Sequence, residues 1–168
     1  MDHRKRRNAA MYFPTVSGTS LAGREFTLPF SLDGEFNIVI LAFEPVHQLL
    51  LQSWLPSLEN LRLKYERLAY YQLPTLWAYS DEQRHIIDVG MRQAIPNPRL
   101  HDRVIPLYVQ KDQLREVLEL PNESTIYILL IDREGEILWR ADGVITPEKL
   151  ESLTRLLDQV HDRDNEPS

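Results

Sequence analysis

Apolar and polar positions alternate between two periods along this chain, and each period marks a kind of element. Two uninterrupted apolar runs, Ile38–Phe43 and Ile126–Ile131, have the length of strands covered on both faces. Between them the spacing opens to three and four residues. Leu50, Trp54, Leu58, Leu61, Tyr65 and Leu68 form one stripe, which predicts a long helix after Pro45 that Pro56 kinks. Leu73–Tyr79 reads as the next strand. Ser80-Asp-Glu-Gln83 has the form of a capping box and starts a helix through Ile86, Ile87, Val89, Met91 and Ala94, which Pro96 and Pro98 end.

Val104–Val109 is expected as a third strand, followed by a short helix from Lys111 to about Leu118. Thr125–Ile131, a turn at Asp132-Arg-Glu-Gly135 and Glu136–Arg140 spell an antiparallel hairpin. Thr146 caps a last helix with Pro147 at its first position, its apolar face being Leu150, Leu153, Leu157 and Val160. Ahead of all this, the turn-rich stretch from Gly18 to Gly34 suits a short strand or hairpin around Glu25–Leu28. Strand–helix alternation implies parallel pairing with helices on both faces, and the hairpin adds antiparallel strands. The expectation is an α/β sandwich on a mixed sheet.

Composition narrows the chemistry. The chain has 168 residues, which fits one domain. A net charge of −6 gives no fold-wide basic footprint, so nucleic acid is not expected as a partner. Cysteine is absent, which excludes disulfides, thiol nucleophiles, thiolate metal sites and CxxC redox chemistry. The start carries Arg4, Lys5, Arg6 and Arg7 with no apolar stretch behind them, so it does not read as a secretory signal. We expect residues 1–11 to be a basic disordered arm offering at most peripheral contact with a membrane, 12–160 a single domain, and 161–168 an acidic frayed tail. No run approaches the length of a membrane span, so the expected location is the cytoplasm.

The element order resembles the thioredoxin-like fold, a three-layer sandwich with a mixed central sheet, in its peroxiredoxin-like form. Phe43 ends the first core strand, Pro56 supplies the helix kink, and Tyr65 falls where a Tyr often closes the helix. The resemblance places Gln48 and Leu51 at the two redox-cysteine positions and Ile126 at the position of the facing cis-proline. Neither catalytic device is present, so the resemblance implies a redox-inactive member with no cofactor.

A narrower likeness covers roughly Tyr12 to Leu157. Ser124–Glu148, with Phe13-Pro14, Gly18-Thr-Ser-Leu21, Leu28-Pro29 and the Trp54 region, is similar to the mitochondrial ATP synthase membrane-sector assembly factors. Two features depart from that family: Leu138 stands where it has Arg before Trp, with Arg140 after Trp139 instead, and no mitochondrial presequence is recognisable. The likeness implies a non-catalytic assembly protein with a protein partner, a membrane-sector subunit of ATP synthase. Taken literally, it also implies a mitochondrial location. No pattern specifies an oligomeric state.

Candidate binding residues are Glu44, His47 and Gln48 at the start of the kinked helix, and Trp139 with Arg140 on the hairpin. Helix starts expose N–H groups that attract anions, so a ligand groove or a non-thiol enzyme site near Gln48 is the alternative to an assembly role; a vestigial surface is the plainer reading. Trp139 and Arg140 are either a contact pair or a Trp packed under the last helix beside a solvated Arg. His47, His85 and His101 lack a third ligand at recognisable spacing, Glu82–His85 and His101–Asp102 included, so no metal site is expected. Ser53 and Ser57 have no nucleophile elbow, and Gly18 and Gly23 no phosphate-loop lysine. Tyr65, Tyr70 and Tyr71 among Arg62, Lys64 and Arg67 are read as helix-end aromatics of the core rather than a base-stacking platform.

Overall fold

The computed structural model describes residues 10–165. The basic stretch Arg4–Arg7 lies outside them. The chain runs β1 (Val16–Thr19), β2 (Glu25–Leu28), β3 (Phe36–Ala42), α1 (Gln48–Gln52), α2 (Leu55–Lys64) and β4 (Leu68–Trp77). It continues with α3 (Asp81–Ala94), β5 (Leu107–Val109), α4 (Lys111–Leu118), β6 (Tyr127–Asp132), β7 (Ile137–Asp142) and α5 (Pro147–Asn165). Short 3-10 turns at Pro45–His47 and Pro98–Arg103 precede α1 and β5.

Five strands form the central sheet in the order β5-β4-β3-β6-β7, and β1 and β2 pair as a separate hairpin. The sheet is mixed: β3 lies parallel to β4 and antiparallel to β6, and β6 turns back into β7. The apolar runs at β3 and β6 follow from cover on both faces. Ile38 and Ile40 point into one core with Trp54, Leu58, Leu153 and Leu157 from the helices α2 and α5 and the residues around them. Val39 and Leu41 point into the other, with Phe26, Leu28, Leu114 and Leu118 of the hairpin and α4. All four β3 side chains are wholly buried; each such burial is worth about 1.5–3 kcal/mol.

Several expected boundaries move. The long helix after Pro45 is two helices, α1 and α2, parted at Ser53 and Trp54. Pro56 sits in the first turn of α2, where its missing N–H has no helical acceptor to lose, so it starts a helix instead of kinking one. Leu68 is not on the helical stripe but opens β4, and Tyr70 and Tyr71 are strand residues whose side chains enter opposite cores. The strand expected from Val104 shrinks to Leu107–Val109: Val104 keeps a single bridge to Gln72, and Pro106 has no N–H for the ladder.

The ends of α3 and α5 follow the sequence. Ser80 and Gln83 close both halves of the capping box, and the Lys149 N–H donates to Thr146 Oγ1 at 3.2 Å. The turn before β7 is drawn tight by Asp132 Oδ1, which accepts from the N–H groups of Glu134 and Glu136 at 3.0 and 2.9 Å. Gly135 there takes φ +90°, and a Cβ would fall 2.5 Å from Pro29 Cγ. Helix α5 runs to Asn165; near its end the His161 ring lies tilted 4.7 Å from Tyr65 and 5.2 Å from Phe36, while the Tyr65 hydroxyl donates to Asp158.

Candidate functional site

The break between α1 and α2 is built by side chains. The Ser53 hydroxyl donates to the Leu50 carbonyl at 2.6 Å and accepts from the Ile145 N–H at 3.1 Å. The Trp54 indole, wholly buried, donates to the Gly143 carbonyl at 2.8 Å. The loop after β7 is thereby pinned to the helix break, which sets where α1 begins relative to the sheet.

Gln48 opens α1 and is exposed, as is Glu44 at the end of β3. Both line a groove of about 290 Å³ between α1, the C-terminal ends of β3 and β4, and the C-terminal half of α3. Leu51, 2% exposed, lies within it. Its other apolar surfaces are Phe43, Pro74, Leu76, Met91 and Ile95, and its polar groups are Glu44 and the carboxamides of Gln48, Gln52 and Gln72. Among the described residues no Lys, Arg or His borders it. An anion site, expected from a helix start, finds no support: α1 has only five residues to align its dipoles, and the charge at the mouth is a carboxylate.

His47 does not join this groove. It is 3% exposed and turns inward, its Nδ1 accepting from the Phe43 N–H at 3.3 Å, which satisfies the backbone where β3 ends. His47 borders a second, shallower cleft instead, with Leu49 and Val46. Ile126 is wholly buried in the core that also holds Leu51, so the cis-proline position is filled by packing. The cis X–Pro bond among the described residues is Leu28–Pro29, after β2.

Trp139 and Arg140 point to opposite faces of β7 and do not form a pair. Trp139 meets Trp54 edge-on at 6.3 Å, and its indole donates to Ser152 Oγ of α5 at 2.9 Å, whereas Arg140 donates to the Leu118 carbonyl at 2.6 Å. His101 bonds the Ile95 carbonyl at 2.6 Å, and His85 is exposed on α3. Among the described residues no three His, Asp or Glu side chains gather to hold a metal ion. The aromatic–basic cluster is spent on structure. Glu59 accepts from Arg62, from the Tyr70 hydroxyl at 2.9 Å and from Arg103 at 3.2 Å, and these donors, Arg62 first, hold its carboxyl down at about 2.

Gln72, Met91 and Ile95 carry the groove and were not anticipated. A lone carboxamide inside the apolar run Tyr70–Leu73 is the available signal for Gln72; Met91 reads as one apolar position of an amphipathic helix, and Ile95, just before Pro96, carries no signal of its own.

Comparisons with known proteins agree with this architecture. The family model described as ATP10 protein matches residues 4–160. No curated protein matches in sequence. Solved structures of similar fold include a putative electron transfer protein from Aquifex aeolicus VF5 (14% identity, 88% of this chain and 94% of that one, TM-score 0.63). A thiol:disulfide interchange protein from Bacteroides sp. aligns at 18% identity over 89% and 90% with a TM-score of 0.59. The pneumococcal exposed lipoprotein thioredoxin Etrx1 from Streptococcus pneumoniae strain TIGR4 aligns at 10% identity over 87% and 99% with a TM-score of 0.58. The fold is thioredoxin-like, and this chain carries it without a cysteine.

Proposed function

The chain belongs to the ATP10 protein family, and from that premise we propose that it is a non-catalytic assembly factor that binds a membrane-sector subunit of ATP synthase. The observation that carries the reading is the family match together with what occupies the redox positions. Gln48 cannot attack a disulfide and Leu51 cannot resolve one, and with no cysteine anywhere the fold has no thiol to substitute. A thioredoxin-like frame stripped of its chemistry keeps its surfaces. Val46 of the 3-10 turn and Leu49 of α1, 65% and 73% exposed, and the neighbouring groove are apolar and concentrated at one end of the sheet, as a protein-binding face requires. No helix among the described residues is long and apolar enough to cross a membrane.

The test is crosslinked affinity capture by the full chain from gently solubilised membranes and, in parallel, from the soluble fraction. Specific recovery of an ATP synthase membrane-sector subunit is expected. Recovery of no such subunit, or reduction of insulin disulfides at enzyme-like rates, overturns the proposal. The same experiment on a chain lacking residues 1–8 assigns or dismisses a docking role for Arg4, Lys5, Arg6 and Arg7.

A further inference from the structure

Gln72 is 5% exposed, and its side-chain carboxamide has no hydrogen-bond partner among the described residues, although its backbone carbonyl accepts from the Ile105 N–H at 2.9 Å. The side chain lies on the face of β4 that also presents Pro74 and Leu76, and it lines the apolar groove. The carboxamide is not sealed in the core, where the fully buried unpaired side-chain atoms are Arg115 Nε and His161 Nε2, but opens on the groove. There, with no intramolecular bond to break, it is free to bond a ligand.

The surroundings say which ligand. A carboxamide offers a donor and an acceptor side by side, the complement of a peptide unit. The walls are Phe43, Leu51, Leu76, Met91 and Ile95, and about 290 Å³ is room for one or two aliphatic side chains. At the mouth, Glu44 has no ion-pair partner among the described residues and its side chain caps no backbone N–H. A bound carboxylate or phosphate meets no cation among the described residues of the groove and is repelled by Glu44. A bare acyl chain leaves Gln72 unanswered. We infer that the groove between α1 and α3 takes an apolar peptide segment, its backbone amide bonded to Gln72, its aliphatic side chain between Leu76 and Met91, and a basic residue facing Glu44.

This rests on the assembly reading for its biological partner but not for its chemistry, and the tests separate the two. The probe is the blocked peptide acetyl-Gly-Leu-Leu-Val-Lys-amide, titrated into the isotope-labelled full chain. Saturable NMR shifts are expected at the Gln72 side-chain amide and the Met91 methyl. N-methylating the peptide's leucine amides should weaken binding about tenfold to the native chain and hardly at all to Gln72→Leu, the signature of one shared hydrogen bond. Replacing the peptide lysine with norleucine should likewise matter less to Glu44→Gln. Ala94→Trp, at an exposed position on the groove wall, should block the peptide while the fold stays intact by circular dichroism.

Absence of saturable shifts overturns the inference, as does equal weakening of both chains by N-methylation. Equal displacement by octyl glucoside, which carries no amide, does the same. In the membrane capture, loss of the subunit from Ala94→Trp supports the groove as the docking site. Recovery of the subunit by Ala94→Trp overturns that placement and leaves the assembly reading standing.

Discussion

Replacing Trp54 with Phe tests whether the helix break organises the domain. The substitution keeps a large aromatic in a wholly buried position but removes the indole N–H that reaches the Gly143 carbonyl at 2.8 Å. An orphaned, partly buried carbonyl costs about 1–3 kcal/mol. Losing the indole's second ring opens about 40 Å³, worth about 1 kcal/mol at the usual cavity rate. The edge contact with Trp139 at 6.3 Å weakens by a further fraction of a kcal/mol. The sum is about 2–4 kcal/mol, a large share of the 5–15 kcal/mol that holds a typical domain. Urea unfolding followed by far-ultraviolet circular dichroism should show the midpoint falling by about 1–2 M at unchanged slope. Trp77→Phe, at a position 40% exposed, is the control and should move it by less than about 0.3 M. If Trp54→Phe moves the midpoint no further than that control, the pin between helix break and loop is not what holds α1 in place.

Three further predictions follow from contacts elsewhere. Asn37, wholly buried, bonds both the N–H and the carbonyl of Gly34 at 2.9 Å, so Asn37→Leu should lower stability by about 2–4 kcal/mol; an unchanged thermal midpoint would refute this. The Glu59 carboxyl titrates at about 2 in the folded protein against an ordinary 4.5, so its contribution is fully present above pH 4.5 and is lost as pH falls toward 2. Glu59→Gln should therefore flatten the acid limb of the stability profile in that window, an effect kept small by the partial exposure of the carboxylate. Ser80→Ala removes the hydroxyl that accepts from the Gln83 N–H, leaving only the backbone half of the capping box, and should speed amide exchange in the first turns of α3 by the equivalent of about 1 kcal/mol while leaving the exchange of β3 unaltered.

Much of the frame was legible because burial on two faces leaves a mark in sequence. The runs at β3 and β6 are apolar without interruption since each alternate side chain meets a different core, and the capping box and Thr146 announce their helices by chemistry that works only at helix starts. The boundary between α2 and β4 was not legible. Leu61, Tyr65 and Leu68 keep helical spacing, yet Tyr65 ends the helix with an extended backbone and Leu68 begins a strand; all three are buried in the same core by different routes. At the candidate site, alignment to a fold pattern found Gln48 and Leu51 at the right place. It gave no means to see that His47 turns inward to hold the end of β3, nor that Gln72 reaches the groove from a neighbouring strand. The first is a local bond four residues long that no periodicity marks, and the second depends on parallel pairing of β3 with β4, a contact between residues some thirty positions apart.

Helix α3 buries none of its residues fully, although Ile86, Ile87, Val89 and Met91 give it an apolar side. Its first half is held by its own capping box and by Tyr108 of β5, whose hydroxyl donates to Asp88 at 2.6 Å. The two cores share β3, which couples their unfolding, whereas α3 contributes no fully buried side chain to either. It can therefore open at far less than the free energy of global unfolding. Natural variation along α3 will then be felt first by whatever rests against its C-terminal half and only later by the melting temperature. A protein of this build can change its partner without renegotiating its fold.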